Sequence, residues 1–317
     1  MSAGLHTIAK LAIVLFLLLL PLGLGNYGQY MVAVVMIYGL VALSLNILTG
    51  IGGQISIGHA GFWALGAYAS GLAVVKLGAP FLQAVVFGGI VAGAFGVLVA
   101  LPALRVQGHY LAIATLGFAL FVQQVLFEWD SLTGGREGLF VPRPSLLGVV
   151  LKSDFGYDYL LIAIFLLFAW MTGNFACSHT GRSLAALRMS SVAAECCGIV
   201  RSRQIILAFA VSAFYTGISG ALYGQLLGHL SAETFSLSVS LAFLTMAVIG
   251  GLHSRAGALL GATFLALAPE VLRQFHDLEV IIYGAILVLC VQLLPGGLIS
   301  LVEAVPTSLR KRLHVSA

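Results

Sequence analysis

The most polar part of this chain is a glycine-rich stretch from residue 44 to residue 61, which reads SLNILTGIGGQISIGHAG. Five glycines lie between positions 50 and 61, and each costs up to about 1 kcal/mol against alanine inside a helix. We therefore expect the chain to break here, and the backbone groups that a break frees need protein partners or a cavity. Such a break can guide a polar solute. The candidate pathway residues are Asn46, Gln54, Ser56 and His59.

Two interpretations of this stretch stay open. In the first, Ser56 is the N-cap of the following helix, whose N-terminus would face the carboxylate of a solute. In the second, the stretch is a tight connection between two helices, and Asn46 and His59 hydrogen-bond to neighbouring helices. A proton relay is not indicated, because no Asp, Glu or Lys occurs between residues 11 and 75 to pair with His59.

A second candidate lies in a basic segment, residues 182–203, which carries four arginines against one glutamate, Glu195. Around that glutamate the sequence reads AAECCGI. Small side chains allow close approach of another protein, the carboxylate is a directed acceptor, and Gly198 lets the chain turn back. The alternative is a solvated interfacial helix whose arginines contact lipid phosphates. The candidate contact residues are Arg182, Arg188, Ala193, Ala194, Glu195 and Gly198.

A third pattern favours an enzyme. Residues 217–220 fit the Gly-x-Ser-Gly tetrapeptide of rhomboid-like intramembrane proteases, with Ser219 as nucleophile and His253 downstream. A chain with 38 glycines produces such a match easily by chance, and a small-residue stripe for helix packing is the simpler explanation. A phosphate-binding loop is absent from the sequence, because none of the four lysines follows a glycine. No metal or cofactor site is predicted.

The elements that carry these residues must lie in a membrane. Of the 317 residues, 60% are hydrophobic and 8% are charged, which is about a third of the charge of a globular protein. So few charges cannot cover a water-exposed surface, and the composition excludes a soluble enzyme, a nucleic-acid-binding protein and a disordered chain. The glycine excess favours a transport or channel body. The predicted fold class is an all-α polytopic membrane protein forming one domain over residues 1–317.

Stretches free of charged residues are long enough for about ten transmembrane helices, because one span needs about 20 apolar residues. The first follows Lys10 and is expected to be retained rather than cleaved as a signal peptide. The ninth, residues 256–269, must continue through Glu270 to be long enough. Four helices on each side of the sixth run in opposite senses, which suggests an inverted repeat.

Charge predicts the orientation of these spans, because cytoplasmic loops keep an excess of Lys and Arg. With both termini inside, ten of the fifteen basic residues are cytoplasmic and nine of the eleven acidic residues lie outside. Two long connections then face opposite sides. The outer one, residues 128–158, has a net charge of minus two and is expected to be an ordered cap or docking loop; the inner one, residues 182–203, has a net charge of plus three and is expected to form a short helix.

Strings along nearly the whole chain resemble the permease subunits of high-affinity branched-chain amino acid ABC importers, and the M-type of the two homologous subunits in particular. The strings are Leu45–Gly50, Ser56–Phe62, Gly66–Tyr68, Leu101–Arg105, Tyr110–Phe118, Asp130–Gly135, Gly220–Tyr223 and Val248–Leu252. The segment around Glu195 is similar to the cytoplasmic helix through which such permeases contact their ATPase. Residues 136–138 and 188–191 depart from the usual pattern of the family.

The resemblance implies a complex in the bacterial inner membrane. This chain would pair with a sister permease, bind two ABC ATPase subunits in the cytoplasm and receive its substrate from a periplasmic binding protein. It would import a branched-chain amino acid with energy from ATP hydrolysed by the partners, and would not itself be an enzyme. Members of the same family carry urea, short amides or aromatic acids, so the sequence leaves the substrate open.

Overall fold

The computed structural model describes residues 20–106, 108–142, 145–146, 149–150, 154–272, 284–285, 288–290, 292 and 296–300. Most of these residues are helical. The helices are α1 (Asn26–Leu45), α2 (His59–Leu77), α3 (Phe81–Ala103), α4 (His109–Glu128), α5 (Asp130–Thr133), α6 (Asp154–Cys177), α7 (His179–Met189), α8 (Ser191–Cys196), α9 (Arg201–Leu227), α10 (Leu237–Gly250) and α11 (Arg255–Leu272). A π turn, Asn46–Ile51, continues α1, and 3₁₀ turns occupy Leu20–Gly23 and Ala232–Phe235.

Seven of the described helices are long and apolar enough to cross a membrane. They are α1 with its π turn, α2, α3, α4, α6, α9 and α11. Together with the shorter α10 they occupy the second to ninth predicted spans, and α11 runs through Glu270 as the ninth span requires. The predicted first span and most of the tenth lie outside the described residues. The all-α class is confirmed for the described residues, and the count of ten stays a prediction.

The eighth span is shorter than the sequence predicts. Residues 234–254 are free of charge, but α10 contains only 14 of them, Leu237–Gly250. A 3₁₀ turn precedes this helix, and Gly251 ends it because its φ of 109° lies outside the helical region. An uncharged run therefore gave the position of the helix but not its length.

The centre of the bundle is α1 with its π turn. The helix is apolar on all sides, which is the pattern of a helix surrounded by protein, and 14 of its 20 residues are buried. It packs against α6, α9, α10 and α11. The polar stretch at its end is therefore enclosed by other helices.

Glycines let α2, α3 and α9 approach one another closely. A Cβ at Gly217 in α9 would lie 2.9 Å from the carbonyl oxygen of Gly88 in α3. One at Gly220 would overlap the carbonyl oxygen of Trp63 in α2. Small residues are needed where helix backbones meet at such distances. The interpretation of residues 217–220 as a packing stripe is confirmed.

Short strands organise one end of the bundle. They are β1 (Leu139–Phe140), β2 (Ser145–Leu146), β3 (Val149–Val150) and β4 (His229–Leu230). β1 pairs antiparallel with β4, with Leu139 opposite Leu230, and β2 pairs with β3. The connection between α4 and α6 is thereby tied to the one between α9 and α10. It spans residues 129–153 rather than the predicted 128–158, because α4 ends at Glu128 and α6 begins at Asp154.

The helices alternate in direction, so the connections fall into two groups. One group contains residues 52–58, 104–108, 178–200 and 251–254, and we call this end of the bundle the α7 end. The other contains the strands, and we call it the hairpin end. The predicted inner loop 182–203 corresponds to residues 178–200, because α7 begins at His179 and α9 already at Arg201.

Candidate functional site

The predicted break between residues 50 and 61 is present. α1 widens into the π turn at Asn46, residues 53–58 are not helical, and α2 begins only at His59. The backbone N–H of Gln54 donates to the carbonyl oxygen of Leu48 at 3.1 Å, and Gly53 takes the left-handed φ of 65° that glycine tolerates. π turns are frequent at functional sites.

The prediction that Ser56 is the N-cap of α2 is wrong. The helix begins at His59, so the N-cap position falls on Gly58, which has no side chain to accept a hydrogen bond. The Ser56 hydroxyl accepts the N–H of Gly58 at 3.4 Å and lies 3.3 Å from Nδ1 of His59. Ser56 therefore braces the connection and the first residue of α2.

His59 joins three helices and is almost fully buried. Its Nε2 lies 3.0 Å from the hydroxyl of Ser212 in α9, and that hydroxyl donates to the carbonyl oxygen of Ser44 in α1 at 3.1 Å. Ser212 thus uses its proton on Ser44 and accepts from His59, which assigns the ring proton to Nε2. The Ser44 and Thr216 hydroxyls add a second bond of 2.8 Å between α1 and α9. This is the hydrogen-bonded packing of the second interpretation.

Asn46 connects the π turn to the connection between α10 and α11. Its Nδ2 donates to the carbonyl oxygen of Ser254 at 2.9 Å. Its Oδ1 is buried and has no hydrogen-bond partner among the described residues. One turn later, a Cβ at Gly50 would overlap the carbonyl oxygen of Leu252. The π turn and residues 251–254 therefore pack as one unit.

The segment 178–200 consists of two short helices with a serine N-cap each. The Ser178 hydroxyl accepts the N–H of Gly181 at 3.2 Å, and the Ser190 hydroxyl accepts the N–H of Ala193 at 3.3 Å. Gly198 has a φ of 81°, so the predicted turn at this residue is confirmed. The segment is thus two fixed pieces, α7 and α8, that meet at Ser190.

Most of the predicted contact residues in this segment are exposed. They are Arg182, Arg188, Ala193, Glu195 and Gly198. Ala194 is buried instead. Two large apolar side chains flank Ser190, and their exposed fractions are 88% for Met189 and 71% for Val192. Exposed apolar patches mark sites of contact with a protein or with the membrane.

Arg188 is placed differently from Arg182. The Arg182 guanidinium donates to the nearby carbonyl oxygen of Cys177 at 2.7 Å. The Arg188 guanidinium reaches the π turn, where Nη1 donates to the carbonyl oxygen of Gly50 at 2.5 Å. It also donates to Nε2 of His253 in the connection between α10 and α11. Burial, and then the charge of Arg188, lower the pKa of His253 below its usual value, which favours the neutral ring that can accept this bond.

A cavity of about 400 Å³ lies where the break, α7 and the start of α9 meet. Gln54, Arg188 and Arg201 belong to its lining. The Arg188 stem covers Gly53, where a Cβ would lie 2.7 Å from Arg188 Cγ. A second cavity of about 370 Å³ lies beside Glu195. Of the predicted pathway residues, Gln54 lines the first cavity, and the other three are buried.

Ser219 and His253, the residues of the protease alternative, do not form a catalytic pair. Ser219 is buried, donates to the carbonyl oxygen of Ile37 at 2.8 Å and accepts the indole N–H of Trp63 at 3.2 Å. His253 contacts Arg188, which bonds to Gly50. Ile37 and Gly50 are 13 residues apart along α1 and its π turn, which is about 20 Å of helix. The structure does not bring Ser219 and His253 together.

Comparison with known proteins places the chain in a family. Residues 29–291 match the family model described as branched-chain amino acid transport system / permease component. The chain belongs to this permease family. It is similar to LivM, the high-affinity branched-chain amino acid transport system permease protein, of Salmonella typhimurium (strain LT2) and of Escherichia coli (strain K12). Each is 31% identical over 288 residues, which are 83% of this chain and 68% of the relative.

The permease is also similar to the LivH protein of the same transport system in Salmonella typhimurium (strain LT2). The identity is 26% over 288 residues, which are 83% of this chain and 91% of the relative. The higher identity to LivM agrees with the M-type resemblance of the sequence. No solved structure matches the chain significantly.

Sequence reasoning missed the inward contacts of this permease. Arg188 was assigned to the same exposed group as Arg182, although the carbonyl oxygen that it reaches lies 138 residues earlier in the chain. For the connection between α10 and α11 the sequence indicates only His253, as part of the protease alternative, and no contact with the break. A signal existed in the paired glycines at 52–53 and 250–251, because neighbouring glycines indicate close approach of backbones.

Proposed function

We propose that this permease is the membrane subunit of an ABC importer that carries branched-chain amino acids into the cytoplasm. The observation that carries the proposal is the 31% identity to LivM over 83% of this chain, because that relative is a branched-chain amino acid permease by name. Urea, short amides and aromatic acids are the alternative substrates. ATP would be hydrolysed by partner subunits, since the sequence has no phosphate-binding loop.

The proposed complex contains this chain, a sister permease, two ABC ATPase subunits and a periplasmic substrate-binding protein. Similarity to both LivM and LivH supports a pair of related permeases. The exposed side chains of Met189, Val192 and Glu195 support the segment 178–200 as the ATPase contact. The small exposed side chain of Ala193 would let the ATPase approach α8, and Glu195 would accept hydrogen bonds from it.

The proposed transport pathway passes the break between α1 and α2 and is lined in part by Asn46, Gln54, Ser56 and His59. Two of these residues support it best. Gln54 lines the larger cavity, and Asn46 has a buried Oδ1 without a partner among the described residues. Ser56 and His59 bond to each other and to Ser212, so we assign them the role of holding the break in shape.

The proposed orientation places the α7 end in the cytoplasm and the hairpin end in the periplasm of a bacterial inner membrane. The basic residues at the α7 end are Arg105, Arg182, Arg188, Arg201, Arg203 and Arg255. The acidic residues in the connections of the hairpin end include Asp130, Glu137 and Glu233. This distribution follows the rule that positive charge stays inside. Residues 129–153 would then receive the binding protein.

Competition for uptake tests the substrate class. The complete importer in proteoliposomes should take up labelled leucine with ATP inside, and unlabelled isoleucine or valine should compete. Urea, acetamide and phenylalanine in the same excess serve as the comparison. Competition by urea or acetamide, with none by valine, would replace the proposed substrate class by the alternative one.

A further inference from the structure

The Arg188 side chain contacts elements far from its own helix. It lies in the last turn of α7. The other arginine of the segment 178–200, Arg182, bonds within the described residues to the nearby carbonyl oxygen of Cys177. The Arg188 side chain instead crosses to the π turn and bonds to Gly50, with its stem against Gly53. A movement of α7 therefore acts directly on the end of α1.

The same guanidinium also contacts a second distant element. His253 lies in the connection between α10 and α11 and accepts a bond from Arg188. That connection is in turn fixed to the π turn by the bond from Asn46 to Ser254 and by the close packing of Gly50 on Leu252. Arg188 thus joins α7 to the end of α1 and to residues 251–254, and we call these three contacting elements the junction.

Arginine suits such a junction for a geometric reason. Its planar guanidinium offers several N–H donors in fixed directions and stays charged, whereas a lysine ammonium is a point charge on a flexible stem. The π turn also departs from the regular hydrogen bonding of α1, and such turns are frequent at functional sites. The junction therefore joins the exposed segment to the irregular end of the central helix.

We propose that Arg188 is the positioning residue that transmits movement of α7 and α8 to the π turn and to residues 251–254. The inference rests on the proposed function, in which the segment 178–200 contacts the ATPase. Arg188 is then needed after the ATPase has bound rather than for the binding itself. Movement of α8 would pass through one guanidinium to the π turn, which contains Asn46 and precedes Gln54, and to residues 251–254 packed against it.

The test compares coupling with assembly in the complete importer, reconstituted with its sister permease, ATPase subunits and binding protein. The measurements are leucine transported per ATP hydrolysed and recovery of the ATPase subunits with the purified complex. For Arg188→Ala we expect full assembly and a transport-to-hydrolysis ratio lowered about 2- to 30-fold. Arg188→Lys should lower the ratio as well, since the lysine side chain is one atom shorter and its ammonium lacks the fixed donor directions of the guanidinium. The control Arg105→Ala, at an exposed arginine of the same end of the bundle but outside the segment 178–200, should change neither quantity.

Gly50→Ala provides a second, uncharged variant. Its added Cβ would collide with the Leu252 carbonyl oxygen and separate the two elements that Arg188 joins, so the ratio should fall while the ATPase still binds. An unchanged ratio in both Arg188 variants would overturn the proposal. So would loss of ATPase recovery in Arg188→Ala, because Arg188 would then maintain the docking surface itself.

Hydrogen exchange separates this inference from the proposed substrate. On addition of ATP to the complex, the amides of residues 48–54 should change their exchange rate in the wild type and not in Arg188→Ala. This readout needs no leucine transport. Absence of leucine uptake in the wild type would contradict the proposed function alone, and equal ATP-dependent exchange in both proteins would contradict the role of Arg188.

Discussion

Glu195 is an exposed carboxylate on a six-residue helix, so its replacement tests contact with a partner rather than folding. We predict that Glu195→Arg weakens ATPase binding at least about 10-fold, or about 1.4 kcal/mol, because a directed acceptor becomes a like charge in a basic segment. The measurement is ATPase recovery with the purified permease. Glu233→Arg, an exposed site at the hairpin end, is the control, and equal recovery in both variants would contradict the contact.

Ser212 is a buried side chain whose removal should lower the free energy of unfolding. Ser212→Ala removes the acceptor of His59 Nε2 and the donor to the Ser44 carbonyl oxygen. We predict a loss of about 0.5 to 2 kcal/mol, the range for hydrogen bonds between membrane helices, measured by thermal unfolding of the purified protein. Ser238→Ala, at an exposed serine of α10, should stay within about 0.5 kcal/mol of the wild type. Equal changes in stability for the two variants would mean that the hydrogen bonds of Ser212 do not stabilise the protein.

Helix packing makes a prediction for the contact between α2 and α9. Gly220→Ala places a Cβ against the Trp63 carbonyl oxygen, and overpacking of this kind costs about 1 to 3 kcal/mol. Gly117→Ala is the matched control, because its Cβ would meet nothing within 4 Å in α4 and alanine is the better helix former by about 1 kcal/mol. In thermal unfolding, the melting temperature of Gly220→Ala should lie below that of the wild type, and that of Gly117→Ala should equal or exceed it. The reverse order would contradict the close packing of α2 and α9.

Elements were predictable from the sequence where a local property decides them. The break at residues 50–61 follows from the helix propensity of glycine, and the spans follow from the length of apolar runs. The ends of elements were less predictable. Ser56 has the side chain of an N-cap but lies too early, and α10 stops at Gly250 although the uncharged run continues.

The junction at Arg188 could not be predicted in the same way. Its partners Gly50 and His253 lie 138 and 65 residues away, so nothing in the local sequence pairs them. The composition of the segment 178–200 gives its basic character, but which arginine reaches the π turn depends on how α7 packs. Only the tertiary structure shows that Arg188 and Arg182 have different hydrogen-bond partners.

Orientation is a property of the whole molecule and can be read from thiol labelling. Cys196 and Cys197 are exposed at the α7 end. With that end in the cytoplasm, a membrane-impermeant maleimide should label them only after the membrane is opened. A Glu233→Cys variant in which the native cysteines are replaced by serine should be labelled in intact spheroplasts. Labelling of Cys196 and Cys197 from outside would reverse the topology.

The most direct test of the central claim is whether leucine transport requires ATP hydrolysed by a partner. Proteoliposomes that contain this permease and its sister permease are compared with and without the ATPase subunits, in the presence of the binding protein outside and ATP inside. We predict uptake against the gradient with the ATPase subunits and none without them. Leucine accumulation by the permeases alone, without ATP, would contradict the account.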